Sequence, residues 1–213
     1  MKKYLAELIG TFGLVFCGTG AVVINDVTSG AVSHVGIAMT FGLIVTVMIY
    51  AFGSISGAHI NPAVTIAFCL TDRFDKKKLW GYLIAQLAGA FLASGVLRIL
   101  FLEHDHLGST IPFGSWQQSF ILEIILTYFL MLVILFVGQN KATSQFTALA
   151  VGATVMLEAM FAGPITGASM NPARSISPAV VSGHTSDLWI YIAAPIIGAI
   201  LASFTWSYMR SDD

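Results

Sequence analysis

Long apolar runs with few charged residues recur along the chain, separated by short polar connections. A helix of about 20 residues crosses the roughly 30 Å hydrocarbon core of a bilayer. Six runs have about that length, and two further apolar runs are about half as long. The pattern predicts six membrane-spanning helices over residues 4–24, 34–52, 79–102, 119–137, 145–162 and 188–208, and two short helices over residues 61–70 and 171–181.

Each short run begins with Asn-Pro-Ala, in the stretches "SGAHINPAV" (56–64) and "TGASMNPAR" (166–174). Non-helical backbone inside a membrane is tolerated only where protein buries it or where it lines a water-filled cavity. We therefore predict two re-entrant helices that enter from opposite sides and frame a pore. The residues of the two motifs are Asn61, Pro62, Ala63, Asn171, Pro172 and Ala173.

The residue types in these motifs suit a helix start. Asparagine caps helix N-termini through its side-chain oxygen, and proline at the first helical position loses no required hydrogen bond. We expect both asparagines to cap their helices and to leave amide donors pointing into the pore. The extended backbone before each motif is predicted to line the pore with its carbonyl groups, from Gly57, Ala58, His59, Gly167 and Ser169.

An internal repeat relates the two halves of the chain. The two motifs lie 110 residues apart, and "YLIAQLAGAFLAS" (82–94) aligns with "YIAAPIIGAILAS" (191–203) at nearly the same offset. Each half holds three spans, an odd number, so the second half must be inverted relative to the first. This is a transport architecture. The predicted fold is an all-α membrane protein with a 3+3 inverted repeat, in a single domain over 1–213 with repeats at about 1–110 and 116–213.

Composition supports this interpretation. With 56% hydrophobic and 10% charged residues, the chain has too little polar material to cover a soluble globule. A net charge of −1 gives no indication of a nucleic-acid partner. Cys17 and Cys69 lie in separate apolar runs, so neither a disulfide framework nor a metal-binding cysteine pair is indicated. We expect no metal and no cofactor.

Basic residues predict the orientation, because short cytoplasmic connections are enriched in lysine and arginine. Six spans place both termini and the connections near 72–78 and 141 on one face, which we predict to be cytoplasmic, in a multi-pass protein of the cell membrane. The other connections contain acidic residues and histidines but no lysine or arginine. The basic positions are Lys2, Lys3, Lys76, Lys77, Lys78, Lys141 and Arg210.

The two motifs, the half-length helices and the glutamates of the first and fourth spans together resemble the major intrinsic protein family, the aquaporins and aquaglyceroporins. The resemblance covers essentially the whole chain. It implies a homotetramer in the lipid bilayer, one pore per subunit, and passive flow of water or small neutral solutes. It also implies a selectivity filter near the outer mouth, formed by Phe41, Ala159, Ala168 and Arg174.

The filter positions bear on the solute. Water-specific members typically carry histidine and cysteine or threonine where this chain has Ala159 and Ala168, so a wider and less polar filter is expected. Ser175 and Ala179 look like the water-channel pattern, whereas "FAGPITGASMNPARS" resembles the plant nodulin-like intrinsic proteins and their bacterial relatives. We expect a channel that passes water and small uncharged solutes, such as glycerol, urea or metalloid hydroxides, and excludes protons and ions.

Several ionisable residues lie within the spans or in the loops beside them. Glu7 and Glu123 are expected to accept hydrogen bonds from the backbone N–H groups of the re-entrant loops. Glu158 is predicted either to bond a loop backbone or to line the pore. His59 is expected to pack within its loop rather than bind a metal. His104 and His106 are expected to be solvated, with a pH or metal response left open.

Two other classes of membrane protein fit the sequence less well. A gradient-coupled secondary transporter would share the inverted repeat, but it would require an ionisable midplane site and usually more spans. A membrane enzyme would require a nucleophile with a base, or a metal cluster, and the histidines show no such spacing with cysteines or carboxylates. The sequence therefore favours a channel that is not an enzyme, with the secondary transporter as the alternative.

Overall fold

A computed structural model of the chain describes residues 1–139 and 142–210. Within these residues the chain is helical, with eight α-helices. Short 3-10 helices, Lys76–Lys78 and Ser144–Phe146, lead into α4 and α6. The α-helices are α1 (Lys2–Val27), α2 (Ser33–Ser56), α3 (Pro62–Leu70), α4 (Leu79–Leu100), α5 (Trp116–Gln139), α6 (Thr147–Thr166), α7 (Pro172–Ser182) and α8 (Leu188–Met209).

Six of the described helices are long and apolar enough to cross a membrane, and α3 and α7 are too short to do so. The six predicted spans and the two short helices are thus confirmed. α2 and α6 continue to Ser56 and Thr166, four residues beyond their predicted ends. The sequence pattern missed these turns because they are polar, and they remain helical because the protein interior surrounds Ser56 and Thr166.

The packing of the helices follows the inverted repeat. α1 packs on α4 as α5 packs on α8, and α3 of the first half packs on α8 of the second as α7 packs on α4. α2 and α6 cross at Gly42 and Gly152, where a Cβ on either glycine would lie 2.5 Å from the other's carbonyl oxygen. Only glycine permits this crossing, which brings the two halves together at equivalent points of the repeat.

The outward surface is apolar over most of the bundle. Trp80, Phe161 and Phe204 are 72%, 72% and 68% exposed, and they belong to three different spans. A surface of this kind suits lipid rather than water. The fold therefore agrees with an integral membrane protein.

We call the face that holds the connections 28–32, 101–115 and 183–187 the outer face, and the opposite one the inner face. Within connection 101–115 the backbone folds over the end of α4, where Arg98 Nη1 donates to the carbonyl oxygens of Leu102 at 3.0 Å and His104 at 2.7 Å. Arg98 thus brings a positive charge to a face whose connections lack lysine and arginine. Lys141, predicted on the inner face, lies outside the described residues.

The prediction that His104 is solvated is wrong. Its side chain is 6% exposed, because Asp26 lies against Nε2 at 3.3 Å and the Leu107 N–H donates to Nδ1 at 3.1 Å. His106, with 34% of its side chain exposed, is only half-buried.

Candidate functional site

Two loops, 57–61 and 167–171, enter the interior with the same unusual backbone. Gly57, Ala58 and Ile60 have φ of +91°, +46° and +44°, and the equivalent residues of the second loop have φ of +82°, +41° and +53°. Such angles are uncommon for residues other than glycine and persist only where the surroundings impose them. The strain occurs at the same places in both halves, which marks the loops as candidate functional elements.

The Glu7 carboxylate holds the first loop. Oε1 accepts from the Ser56 hydroxyl at 2.7 Å and the His59 N–H at 2.9 Å, while Oε2 accepts from the Ile60 N–H at 2.7 Å. Gln86 Nε2 also donates to Oε2, at 2.8 Å. Glu7 is fully buried, so these four donors replace its hydration.

Glu123 holds the second loop in the equivalent way. Oε1 accepts from the Thr166 hydroxyl and from the Ser169 N–H at 2.8 Å, and Oε2 accepts from the Met170 N–H at 2.8 Å. Backbone N–H groups that leave regular structure inside a protein must find partners, and both carboxylates supply them. The geometry fits the backbone-acceptor role predicted for the two glutamates.

The asparagines cap the two short helices. Asn61 Oδ1 accepts from the Ala63 N–H at 2.9 Å, and Asn171 Oδ1 accepts from the Ala173 N–H at 3.0 Å. Proline occupies the first turn of each helix, where its missing N–H is not needed. The caps fix the N-termini of α3 and α7 in the interior.

The side-chain amides of the asparagines cross between the loops. Asn61 Nδ2 donates to the Met170 carbonyl at 2.8 Å, and Asn171 Nδ2 donates to the Ile60 carbonyl at 2.8 Å. Each amide therefore uses one of its two hydrogens to join the halves. The second hydrogen has no partner among the described residues. Each asparagine therefore keeps one free N–H donor, whereas an asparagine that only capped its helix would keep two.

A cavity of about 310 Å³ runs past both asparagines, and its lining reaches from Arg73 on the inner side to Arg174 on the outer side. Residues 57–61 and 168–171, which include both asparagines, contribute the polar part of its lining. The rest of the lining is mostly apolar. Its residues include Val45, Leu130, Ile134, Val151 and Val155.

Arg174 and Phe41 meet at the outer end of this cavity. The guanidinium carbon lies 5.0 Å from the centroid of the Phe41 ring, and Nη1 donates to the Gly108 carbonyl at 2.9 Å. Arg174 is 3% exposed, and its Nε has no hydrogen-bond partner within residues 1–139 and 142–210. Gly18 makes room for the ring, because a Cβ there would lie 2.7 Å from Phe41 Cζ.

The remaining predicted pore residues divide into two groups. Ala168 lines the cavity, as do Gly57, Ala58, His59 and Ser169. Ala159 and Gly167 are not among the lining residues. Ala159 belongs to the apolar cluster around Phe41, and the missing Cβ of Gly167 faces Thr110, whose Cγ2 would be 2.8 Å away.

Glu158 lies outside the cavity lining, whereas His59 is part of it. The Glu158 side chain is buried, its Oε2 has no hydrogen-bond partner in the described part of the chain, and Glu158 is not among the lining residues. The structure thus shows neither of its predicted contacts. The His59 ring packs against Phe68 and Tyr82 and bonds the Thr65 hydroxyl at 3.1 Å, in keeping with a packing role.

Arg73, which belongs to no motif recognised in the sequence, lies at the inner end of the cavity. Its Nη1 donates to the Leu135 carbonyl at 3.0 Å, and its guanidinium lies 5.4 Å from the Trp206 ring. Burial lowers the pKa of Arg73, yet an arginine remains protonated at neutral pH. An arginine between the first short helix and the lysines of the same connection is the signal that would have identified it.

Comparisons with known proteins agree with this geometry. The model of the family described as "Major intrinsic protein" matches residues 1–206. The chain belongs to the major intrinsic protein family. Relatives in this family include "Aquaporin NIP1-1" of Zea mays, 47% identical over 99% of this chain and 75% of that protein. "Nodulin-26" of Glycine max is 45% identical over 100% of this chain and 79% of that protein.

A solved structure of the family is also similar. The X-ray structure of the aquaglyceroporin from Plasmodium falciparum matches with a TM-score of 0.84 and 27% identity, covering 98% of this chain and 96% of that one. As a member of the major intrinsic protein family, the chain is a multi-pass membrane channel for water and small solutes and is not an enzyme. The gradient-coupled transporter is thereby set aside.

Proposed function

We propose that the protein is a water channel with relaxed selectivity, which also passes small uncharged solutes such as glycerol, urea or neutral metalloid hydroxides. In this proposal Phe41, Ala159, Ala168 and Arg174 form the outer constriction. The observation that carries the proposal is the meeting of Arg174 and Phe41 at the end of the same cavity that both asparagines line. Two of the four positions are alanines, which take up little space.

The two walls of the cavity account for passage of neutral solutes. The second amide hydrogens of Asn61 and Asn171 and the carbonyls of the loops offer hydrogen bonds along one side. The apolar side offers none, so a solute gives up hydrogen bonds to water and forms hydrogen bonds with the protein on one side only. Carbon-bound parts of a polyol can face the apolar wall without loss of hydration.

Charge is excluded by the helix termini and Arg174. Helix N-termini carry a partial positive charge, and α3 and α7 begin next to each other at the asparagines. The buried Arg174 adds a full positive charge at the outer end. Electrostatic barriers of this kind exclude protons and cations in aquaporin-type pores generally.

We further propose that the chain is one channel domain over 1–213, that it assembles as a homotetramer, and that both termini are cytoplasmic in the cell membrane. The basic residues near the inner face, including Lys2, Lys3 and the run Lys76–Lys78, support the orientation. Light scattering coupled to size exclusion tests the assembly, and labelling of cysteines added near either terminus tests the orientation.

Stopped-flow light scattering on proteoliposomes tests the solute range, with water, glycerol, urea and arsenous acid compared. We expect flux of water and of at least one larger solute. Ala159→Leu should reduce the larger solute's flux several-fold and water flux less, because added bulk narrows the proposed filter. Ala153→Leu, on the same helix but outside the apolar cluster that joins Ala159 to Phe41 and Ala168, is the matched control. Wild-type flux of water alone, or equal effects of both substitutions, would contradict the proposal.

A further inference from the structure

A cluster of metal-binding side chains lies on the outer face, away from the cavity lining. Asp26 stands at the end of α1, and His104 and His106 extend from connection 101–115. Asp26 Oδ2 is 3.3 Å from His104 Nε2 and 3.8 Å from His106 Nε2. One ligand atom from each residue lies within 4.8 Å of the other two. The chain fold thus gathers three donors from two separate elements.

The spacing of these donors suits a transition metal. Zinc binds imidazole nitrogen and carboxylate oxygen at about 2.0–2.2 Å in tetrahedral sites, which places neighbouring ligand atoms roughly 3.3–3.6 Å apart. The two distances from Asp26 lie within about 0.3 Å of this range. Small side-chain rotations would bring the third pair of donors into it. Two imidazoles with one carboxylate favour Zn²⁺, Cu²⁺ or Ni²⁺ over Mg²⁺ and Ca²⁺.

The cluster is open to solvent on one side. The side chains of Asp26 and His106 are 41% and 34% exposed, whereas that of His104 is 6% exposed. A cavity of about 470 Å³, lined in part by Asp26 and His104, adjoins them. An ion can therefore reach the donors from outside and retain water as a further ligand.

The neighbouring histidine and aspartate form a different pair. His184 Nε2 lies 3.5 Å from Asp105 Oδ2, and the His184 ring centroid is 6.5 Å from that of His106. Neither His184 nor Asp105 belongs to the group of donors that converge within 4.8 Å. His184 is therefore a histidine of the same surface that should not bind the ion directly.

We propose that Asp26, His104 and His106 bind one divalent transition-metal ion of the Zn²⁺ type at the outer face. The site adjoins the outer end of the pore, because the connection that carries both histidines also supplies the Gly108 carbonyl to Arg174. The proposal concerns a ligand site separate from conduction and does not depend on the solute range of the channel.

Coordination by His104 requires that its present hydrogen bond be given up. Its Nδ1 accepts from the Leu107 N–H at 3.1 Å, so the neutral ring carries its proton on Nε2, facing Asp26. Coordination through Nε2 requires that this proton move to Nδ1, and the Leu107 N–H then loses its acceptor. The loss of one such hydrogen bond weakens binding about fivefold relative to a fully preformed site.

Isothermal titration of the purified, tag-free full-length protein with ZnCl₂ tests the site. We expect one ion per chain, with affinity at least tenfold weaker in Asp26→Asn and in His106→Gln. His184→Gln should bind as the wild type does, since His184 lies outside the donor set. Co²⁺ provides a second measurement, because a tetrahedral site with nitrogen ligands gives intense visible absorption that these two substitutions should abolish.

Three outcomes would overturn the proposal: no zinc bound by the wild type, equal weakening in His106→Gln and His184→Gln, or undiminished binding in both ligand variants. Monodisperse elution of each variant at the wild-type volume shows that it is folded. Binding is measured without any flux, so failure here leaves the proposed channel selectivity standing, and a failed flux experiment leaves the metal site standing.

Discussion

The loops 57–61 and 167–171 share a backbone but differ in the residues that it presents. Both are held by a buried glutamate, both end in a capping asparagine, and each asparagine donates to the other loop. Where the first loop has His59 the second has Ser169, and the position three residues after the asparagine is Val64 in one and Arg174 in the other. The backbones of the two loops are symmetric, whereas the side chains that they carry are not.

These differences give the two ends of the cavity different characters. His59 fills space with a buried ring between Phe68 and Tyr82. Ser169 is small, and its hydroxyl bonds the Ser175 hydroxyl at 2.6 Å. The repeat thus provides the loop backbone and its polar groups in both halves. Only the second half has a charged residue, Arg174, beside Phe41.

The largest effect is expected from Arg174→Val, which gives the second helix the residue that the first helix has at this place. Removing the buried charge should raise proton or cation leak at least about tenfold, the factor that roughly 1.4 kcal/mol of barrier provides. Decay of a pH gradient across proteoliposomes measures it. Arg73→Gln, at the inner end of the same cavity, should leave the leak near the wild-type value.

A leak unchanged in Arg174→Val would show that the helix termini alone exclude charge. An equal leak in Arg73→Gln would show that either arginine of the cavity excludes charge. The difference between Val64 and Arg174 would then not explain the exclusion.

The next effect concerns stability. Glu123→Gln places an amide opposite the N–H groups of its loop, so we expect a loss of about 1–3 kcal/mol, seen as a lower melting temperature in detergent. Glu7→Gln should lose less. The amide of Gln86 already contacts Glu7, and by flipping it can offer its oxygen to the new amide group. The flip gives up the Gln86 hydrogen bond to the Thr65 hydroxyl, so it offsets only part of the loss.

Glu123 has no contact with a side-chain amide among the described residues, so a similar rescue is absent there. Equal melting temperatures for the two variants would contradict this account. A third variant, Glu7→Gln combined with Gln86→Leu, tests this account further. Removal of the Gln86 amide should lower its melting temperature to that of Glu123→Gln.

A smaller effect is expected from Gly18→Ala. The new methyl group would overlap the Phe41 ring and push it away from α1, toward the cavity. Flux of the largest permeating solute should fall several-fold, with a smaller change for water. Gly95→Ala is the matched control, since a Cβ there meets nothing within 4 Å. An unchanged solute range in Gly18→Ala would indicate that Phe41 does not limit passage.

The smallest effect is expected from mercury on the wild type. Cys17 and Cys69 do not line the cavity, so HgCl₂ should reduce water flux little. Ala168→Cys should become sensitive, because Ala168 does line it. Strong wild-type inhibition that persists in Cys17→Ala combined with Cys69→Ala would place the block outside thiol chemistry.

Local rules in the sequence predicted the fold. Span length, the Asn-Pro starts of α3 and α7 and the odd number of spans per half required no long-range information, and the observed helices follow them. The ends of α2 and α6 were missed because Ser56 and Thr166 are polar. Their hydroxyls are satisfied by glutamates far away in the chain, a partnership that periodicity does not show.

The site was less accessible to sequence reasoning. The types of residue in the loops indicated a pore, but the use of one asparagine hydrogen to bridge the loops depends on the approach of Met170 and Ile60. Likewise, the Gly108 carbonyl that holds Arg174 comes from a connection without a recognisable motif. Backbone groups carry no identity in the sequence, so only the folded chain reveals them as partners.

The crossing of α2 and α6 has a consequence for how such a chain can arise. Gly42 and Gly152 occupy equivalent positions of the repeat and lie in contact with each other. If two identical half-chains paired in antiparallel orientation, the same glycine of each half-chain would therefore meet at this crossing. One small residue in a single half would satisfy the contact in both members of that pair. Duplication and fusion of such a half would then produce a closed bundle without any new residue at its centre.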